Sequence, residues 1–584
     1  MLKSTKYDKF PAIRVSEDPG DCSVGWAEIG KRLRGSVRGG RFILCAEFYP
    51  GVSEEQTQRE LVQALGPALV IRAADCYLPA TAILDLCKRD LGEDPVFGFM
   101  NNYAVAEFMD AEKMRAARHE IATAQGLVLV LGTGATVIAG QWDLLVYCDL
   151  ARWEIQKRQR AGEIANLGLD NFGDRPSLKY KRAFFVDWRT ADRLKKELLA
   201  GIDFLLDTNQ RDMPKMISRE SFHKALRLAA SQPFRVVPFF DPGPWGGQWM
   251  KEVCDLAKDV PNFAWCFDCV PEENSLLLGF GGVRVEIPSL DLVFRHPREL
   301  LGEAVHARFG AEFPIRFDFL DTMEGGNLSF QVHPLTEYIQ ERFGMHYTQD
   351  ESYYLLDVAD GGCVYLGLKE SINREAMIRE LRDAQQGGPH FDPETYVNCW
   401  PARKHDHFLI PAGTPHCSGK NSMVLEISAT PFIFTFKMWD WGRVGLDGRP
   451  RPIHLDHGLN NIQWERTTGW VRRNLVNVVR KVAEGDGWIE EQTGLHEREF
   501  IETRRHWFHK AVPHCTGGGV QVFNLCEGEE AIVESVDGEF APLVVHYAET
   551  FIVPAAVGRF TIRPCGSSEG KRCGTIKAFV RTRP

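Results

Sequence analysis

The sequence predicts two kinds of architecture in one chain: an α/β domain over residues 1–231, then an all-β region of barrel or sandwich type with small helical insertions. Three observations support this. At 584 residues the chain exceeds what one hydrophobic core fills, so about two to four domains are expected. Up to about residue 231, short apolar runs alternate with charged amphipathic stretches, as strands buried on both faces alternate with helices. Beyond it, short strand patterns are separated by Gly, Pro and Asp turns, and helical spacing returns at only two places.

In chain order, FILCAEF (42–48), LVLVLG (127–132) and DLLVYCDL (143–150) are strand material for a parallel sheet. The last leads into a helix, ARWEIQKRQRAGE. TADRLKKELLAGIDFLL (190–206) also sets its leucines and isoleucine at helical spacing. SQPFRVVPFFDPGP (231–244) is the domain boundary. Past it, HPRELLGEAVHARFG (296–310) and ESINREAMIRELRDAQQG (370–387) are the helical insertions. KHDHFLIPAGTPHCSG (404–419) can be laid over HYAETFIVPAAVGRFT (546–561), with Arg559 where the first string has His416. Both are an apolar strand leading into a Pro-Ala turn. That repeat predicts two barrels of one kind, 232–470 and 471–584, of which the first alone keeps a metal ligand. Chance recurrence of a short strand-turn string is the competing reading.

The charge balance, 69 Lys+Arg against 79 Asp+Glu, creates no general field for nucleic acid or an anionic membrane. Fifteen cysteines read as reduced thiols, and no run of about 18 apolar residues occurs. The amino-terminal stretch MLKSTKYDKFPAIRVSEDPGD has no apolar leader core. A cytoplasmic protein with neither nucleic acid nor membrane as partner is expected, and a homodimer is compatible with all of this.

The strongest chemical signal is LSFQVHP (328–334) together with PAGTPHCSG (411–419). On a strand, residues i and i+2 share a face, so Gln331 and His333 project together. Pro411 and Gly413 shape a turn that presents His416, and Glu351 precedes an apolar strand. Two imidazoles, a carboxylate and an amide oxygen suit a divalent ion such as zinc and leave room for a substrate. Taken alone, His333 reads as a hydrogen-bonded core histidine, and His405 and His407 as solvent-facing.

These strings resemble class I mannose-6-phosphate isomerases, the zinc-dependent cupin enzymes also called phosphomannose isomerases. The resemblance opens at VVPFFDPGPWGGQWMKEV (236–253) and continues through FPIRFDFLDTMEGGNLSFQVHP, DESYYLLDVADGGCVYLGLKE and FLIPAGTPHCSG. It ends in MVLEISATPFIFTFKMWDWGRVGLDGRPRPIHLD (423–456). It implies a double cupin over 232–584, one zinc ion held by Gln331, His333, Glu351 and His416, and a sugar or sugar phosphate as partner. The implied reaction is conversion of mannose 6-phosphate to fructose 6-phosphate through an enediolate. It further implies Ser329 on the phosphate side, Arg443 at the substrate and Glu426 near the metal, although Arg443 reads equally as a structural residue.

Two positions depart from the family pattern. Gln349 stands where a phosphate-binding lysine is expected, two residues before Glu351. Lys437 stands at the catalytic arginine position, with one extra residue between it and Glu426. Lys437 keeps a positive charge but not the planar fork of a guanidinium. Gln349 offers hydrogen bonds without charge. The changes leave two alternatives open: a non-catalytic sugar-binding module, and an isomerase of a different, unphosphorylated sugar. Glu426 reads equally as a proton-transfer group and as a buried glutamate paired with Lys437 or a turn amide.

In the first domain, Ala46–Ser53 lies over G-x-x-x-x-G-K-[ST] with Val52 in the lysine position. Asp149, Arg152, Arg158 and Arg160 are placed as in uridine-kinase-like P-loop domains, a faint resemblance that implies a degenerate P-loop kinase-like domain. KYKR (179–182) and RLKKE (193–197) are expected to form a solvated helix face.

Overall fold

The computed structural model describes residues 6–429, 433–494 and 496–582; residues 430–432, inside one of the motif strings, lie outside that range. Two compact units emerge. One comprises Ala12–Ala229 and Glu272–His296, the other Met1–Pro11, Ala230–Pro271 and Pro297–Pro584. No described helix is long and apolar enough to cross a membrane.

The first unit is built on a seven-stranded sheet in the order Cys22–Val24, Lys215–Ser218, Phe204–Asp207, Leu144–Asp149, Phe42–Phe48, Leu127–Gly132, Leu69–Arg72. The last five run parallel, and Lys215–Ser218 is antiparallel to its two neighbours. All seven residues of the central strand Phe42–Phe48 are buried, which accounts for its unbroken apolar run. Its one charged residue, Glu47, accepts hydrogen bonds from Thr136 N (2.8 Å) and Thr136 Oγ1 (2.7 Å), with Gly134 N 2.5 Å away.

The loop after that strand, read above as a degenerate phosphate loop, is closed on itself. Val52 N donates to Tyr49 O, Arg158 donates to Gly51 O at 3.0 Å, and Ile155 fills the space beside Gly51. Arg152 pairs with Asp192 at 2.8 Å, and Arg160 lies over the Trp153 ring. The helix expected over 190–206 is Trp188–Leu198, and Phe204–Asp207 is already the next strand.

The basic runs expected on a solvated face are instead largely buried. Lys179 Nζ donates to Phe172 O at 2.9 Å, Arg182 Nε to Asp187 at 3.0 Å, and Lys181 to the Leu91 and Asp94 carbonyls. Lys195, 1 % exposed, sits 2.6 Å from Asp149 and 2.5 Å from Asp291. Each cation enters the core because a carboxylate or carbonyl meets it there.

Asp291 belongs to a stretch that sequence order assigns to the β region. Ser275–Phe280 and Val283–Pro288 form a hairpin whose first strand pairs in parallel with Ala12–Ser16. Conversely, the amino-terminal residues join the second unit, where Tyr7 Oη donates to Asp268 at 2.5 Å. A single cut at 231 therefore does not separate the units.

The second unit contains two double-sheet barrels of the same topology. In the first, one sheet runs His407–Ile410, Glu351–Val358, Ser422–Ala429, Ile315–Asp321, Trp265–Cys269, Phe239–Asp241. Its counterpart runs Thr550–Val553, Gln521–Glu527, Cys573–Val580, Ile501–Phe508, Trp488–Gly494, Arg480–Gly485. The second sheets correspond as well: Val397–Pro401, Cys363–Leu368, His416–Ser418, Phe330–Val332, Phe436–Trp439 against Leu543–His546, Glu530–Ser535, Arg559–Pro564, Val512–Cys515. The short repeat read from sequence is thus one part of a whole-barrel duplication. The two sheets of the second barrel close on Phe508, Phe523, Phe551 and Phe560, each contributing on the order of 2 kcal/mol by burial.

Helices enter at the two expected places, Arg374–Gln385 and a 296–310 segment split into Pro297–Leu301 and Glu303–Phe309 at Gly302 with φ 85°, but also where none was expected, at Thr336–Phe343, Leu455–Leu459 and Thr468–Asn474. The cysteines are all free thiols. Cys266 and Cys269 have Cys-x-x-Cys spacing, yet both are buried in one strand and burial raises both thiols well above their ordinary range.

Candidate metal centre

Gln331 and His416 face each other across paired strands, and Lys437 faces Gln331 from the other side. Directly opposed residues share a face, so His416, Gln331 and Lys437 stand in one row. His333 follows on the same face as Gln331. From the opposite sheet, the first residue of Glu351–Val358 completes the cluster.

Glu351 Oε2 is 3.1 Å from His333 Nε2, and its Oε1 is 2.7 Å from His416 Nε2. The three ligand atoms lie within 4.8 Å of one another and all three residues are buried. The Nδ1 atoms face backbone carbonyls, His333 to Phe434 O at 3.0 Å and His416 to Thr414 O at 2.8 Å. A carbonyl only accepts, so each Nδ1 carries the proton and each Nε2 keeps its lone pair for a metal. His333 Nε2 and Glu351 Oε1, although in short contact with their neighbours, make no directed hydrogen bond. Buried, unengaged N and O donors of this kind fit a divalent ion such as zinc. Burial would raise the Glu351 carboxyl, but without an ion the two imidazoles, protonated at Nε2 as well, hold it well below the usual range.

Gln331 is less exposed to choice. Ser329 Oγ donates to its Oε1 at 3.0 Å, and its Nε2 lies 3.2 Å from His416 Nε2. Binding a metal through the amide oxygen takes a half-turn of the amide, after which Nε2 donates to Ser329. The turn presenting His416 is held by Arg466, whose Nη1 donates to the Pro411 and Ala412 carbonyls at 2.8 Å each.

The remaining candidates separate. Gln349 is buried, its Nε2 donating to Glu351 Oε2 (3.2 Å) and Glu426 Oε1 (3.3 Å). Glu426 is not paired with Lys437: it accepts from Arg316 and from Ser428 Oγ at 2.8 Å. Burial and nearby Glu351 raise its carboxyl despite Arg316. Lys437 is half-buried, and burial with the neighbouring Arg451 pushes it down to about 7. Arg443 donates to Asn327 O (2.6 Å) and pairs with Asp440, so it braces a loop.

His407 is buried rather than solvent-facing, with burial pushing it to about 3. His405 is partly buried between Tyr354 Oη (2.9 Å) and Glu527 (3.1 Å). Sequence reasoning missed Arg316 and Asp318, 3.0 Å apart and buried beside Glu426. Their signal was present: two charges at i and i+2 inside the apolar strand IRFDFLD.

In the second barrel the ladders fix what stands at equivalent positions. Cys515 opposes Arg559 as Gln331 opposes His416, and Gln521 opposes Val553 as Glu351 opposes Ile410. That set offers no comparable ligand cluster.

Fold and site together define a two-barrel protein with, among the described residues, one buried His-His-Glu cluster. Comparison with known proteins adds the following. A family model described as a domain of unknown function, DUF8485, matches residues 25–231. The mannose-6-phosphate isomerase of Streptococcus mutans is 27% identical over 220 residues, 37% of this chain and 63% of its own length. Mannose-6-phosphate isomerase ManA of Bacillus subtilis is 24% identical over 242 residues, 40% of this chain and 69% of its own. The chain thus spans less than two thirds of the length of the first of these relatives. Among solved structures, the B. subtilis mannose 6-phosphate isomerase aligns with TM-score 0.48 and 16% identity, covering 59% of this chain and 99% of its own. A mutant of phosphomannose isomerase from Salmonella typhimurium gives 0.45 and 14%, covering 60% and 100%.

Proposed function

We propose that the chain is a metal-dependent aldose–ketose isomerase interconverting mannose 6-phosphate and fructose 6-phosphate. The observation that carries this is the buried His333–Glu351–His416 cluster, with both Nδ1 atoms tied to carbonyls and both Nε2 atoms turned to Glu351. Gln331, His333, Glu351 and His416 would hold one zinc ion. When bound, the ion would supply Lewis acidity at the sugar's reacting oxygens. Glu426, one strand from Glu351, is the carboxylate that would move the proton between C2 and C1. Lys437, in the ligand row, would offset the negative charge of the enediolate. Ser329 and Gln349 would orient ligand side chains and substrate, while Arg443 braces the loop around Asp440.

The test is to load the purified chain with zinc, add mannose 6-phosphate and follow ketose formation by NMR. Formation of fructose 6-phosphate that disappears in Glu351→Gln, together with the bound zinc, is expected. Its absence in a chain shown by metal analysis to hold zinc would sink this substrate.

One observation favours a second reading. The Gln349 amide is spent on two carboxylates, which leaves it no role as a phosphate anchor. An unphosphorylated aldose would then be the substrate, and a panel of such sugars tests it. A sugar-binding module without turnover would give no deuterium wash-in at C2.

For the α/β unit we infer a degenerate phosphate loop without nucleotide binding, on the support of Lys195 paired to Asp149 and Asp291 at the carboxyl edge of the sheet. Magnesium-dependent ATP binding at micromolar concentration in calorimetry would overturn this.

A further inference from the structure

On the two-barrel unit, apart from the metal ligands, Arg308, Arg498 and Arg581 line an open cavity of about 360 Å3 with Glu497, Glu499 and Phe500. That volume is in the range of small-ligand sites. Among the described residues, none of the three guanidiniums is ion-paired to a carboxylate. Arg308 rests on the Phe500 ring, 4.8 Å from its centroid, and Arg581 directs one nitrogen to His496 O at 3.2 Å. The buried Nε of Arg581 has no partner.

Three cations gathered around one opening repel one another, and an anion relieves that cost. The repulsion is visible in the neighbours. Burial together with Arg466, Arg498 and Arg581 pushes His496 down to about 4, and Arg581 adds to burial in lowering Arg308. Glu497 is exposed and offsets one charge only. Glu499 is 6 % exposed, and burial with nearby Asp350 raises its carboxyl well above the usual range. Three guanidiniums against two carboxylates leave the lining with a surplus of donors.

We propose that this cavity binds a phosphate dianion, free or as a small monoester, through Arg308, Arg498 and Arg581. Planar guanidinium forks match phosphate oxygens in pairs, and the Phe500 face accommodates what the phosphate carries. Phe500 also packs on Tyr347, ring centroids 5.7 Å apart, two residues before Gln349. An occupant would thus press on the loop leading to Glu351 without touching a metal ligand.

Calorimetry on the whole 584-residue chain loaded with zinc, with inorganic phosphate and glycerol 3-phosphate as probes, tests this. Saturable binding is expected, weakened at least ~10-fold in Arg498→Ala and in Arg308→Ala. Arg498→Lys should recover part of it, and His416→Ala should leave it unchanged. Tighter binding of the ester assigns a monoester ligand; equal binding assigns free phosphate. Because Arg308 and Arg498 are exposed, the variants should melt like the parent. No saturable heat with either probe overturns the proposal, as does binding that persists in the Arg308→Ala/Arg498→Ala double variant. Loss in His416→Ala would place the phosphate at the metal centre instead, and would equally overturn it.

Discussion

The buried charges around the His-His-Glu cluster decide its stability as much as its chemistry. Arg316 lies 2 % exposed between Asp318 and Glu426. Arg316→Met keeps most of the volume but strands two carboxylates in the core, so a loss of about 3–5 kcal/mol is expected in urea denaturation. A loss below 1 kcal/mol would show that the carboxylates are neutral or reached by water. Glu47 gives a pH test. Burial raises its carboxyl to about 7, against hydrogen bonds from Gly134 and Thr136 that favour its ionised form. The folded state then holds this proton more tightly than the unfolded state, so the contribution is present at low pH and lost as pH rises through about 7. Relative to Glu47→Gln, which cannot ionise, the parent should lose roughly 3 kcal/mol between pH 4 and 9. A parallel pair of stability curves would contradict it. At this scale the His333–Glu351–His416 cluster was legible through the resemblance of whole strings, since strand alternation and a Pro-Gly turn give side-chain direction but not ligand identity. The partners of Glu426 were not, since cross-strand neighbours 110 residues apart leave no local trace.

Elements were legible where the pattern that builds them is local. The strand-turn-strand around PAGTPH is such a case, and Gly413 shows why the turn is specific. It has φ 85°, and an added Cβ would lie 2.7 Å from Asn461 O. Gly413→Ala should therefore cost about 1–3 kcal/mol and displace His416, which begins the next strand. Metal analysis should find weaker zinc retention in this variant than in a surface Gly→Ala control at Gly39, where nothing lies within 4 Å. Equal retention would separate the turn from the metal site. Helix ends were read less well. The apolar spacing over 190–206 continues through Phe204–Asp207, a buried strand that spacing alone cannot distinguish from helix. The basic faces were misread for a related reason: helical charge looks the same whether water or a buried carboxylate awaits it.

At the scale of the molecule, the duplication of barrels was legible from fifteen aligned residues, because the Pro-ended strand recurs at one place in each barrel. The interleaving of the two units was not. Sequence order suggests that 1–231 and 232–584 are separable, but each would lack part of its own core. The first would lose the Ser275–Pro288 hairpin that pairs with Ala12–Ser16, and with it Asp291, leaving Lys195 with Asp149 alone. The second would lose Tyr7, whose hydroxyl meets Asp268, and Asp8, whose amide meets Glu549 at 2.6 Å. Fragment 1–231 alone should therefore show no cooperative thermal unfolding and bind a hydrophobic dye. Joining 272–296 to residue 229 through a flexible Gly-Ser linker should restore a cooperative melt, since it returns both the strand pairing and the Lys195 partner. A sharp melt from 1–231 without the hairpin would show that the inserted segment is an ornament on an independent domain. Failure of the linked form, with the hairpin present, would mean that the unit depends on more of the chain than its own contacts require.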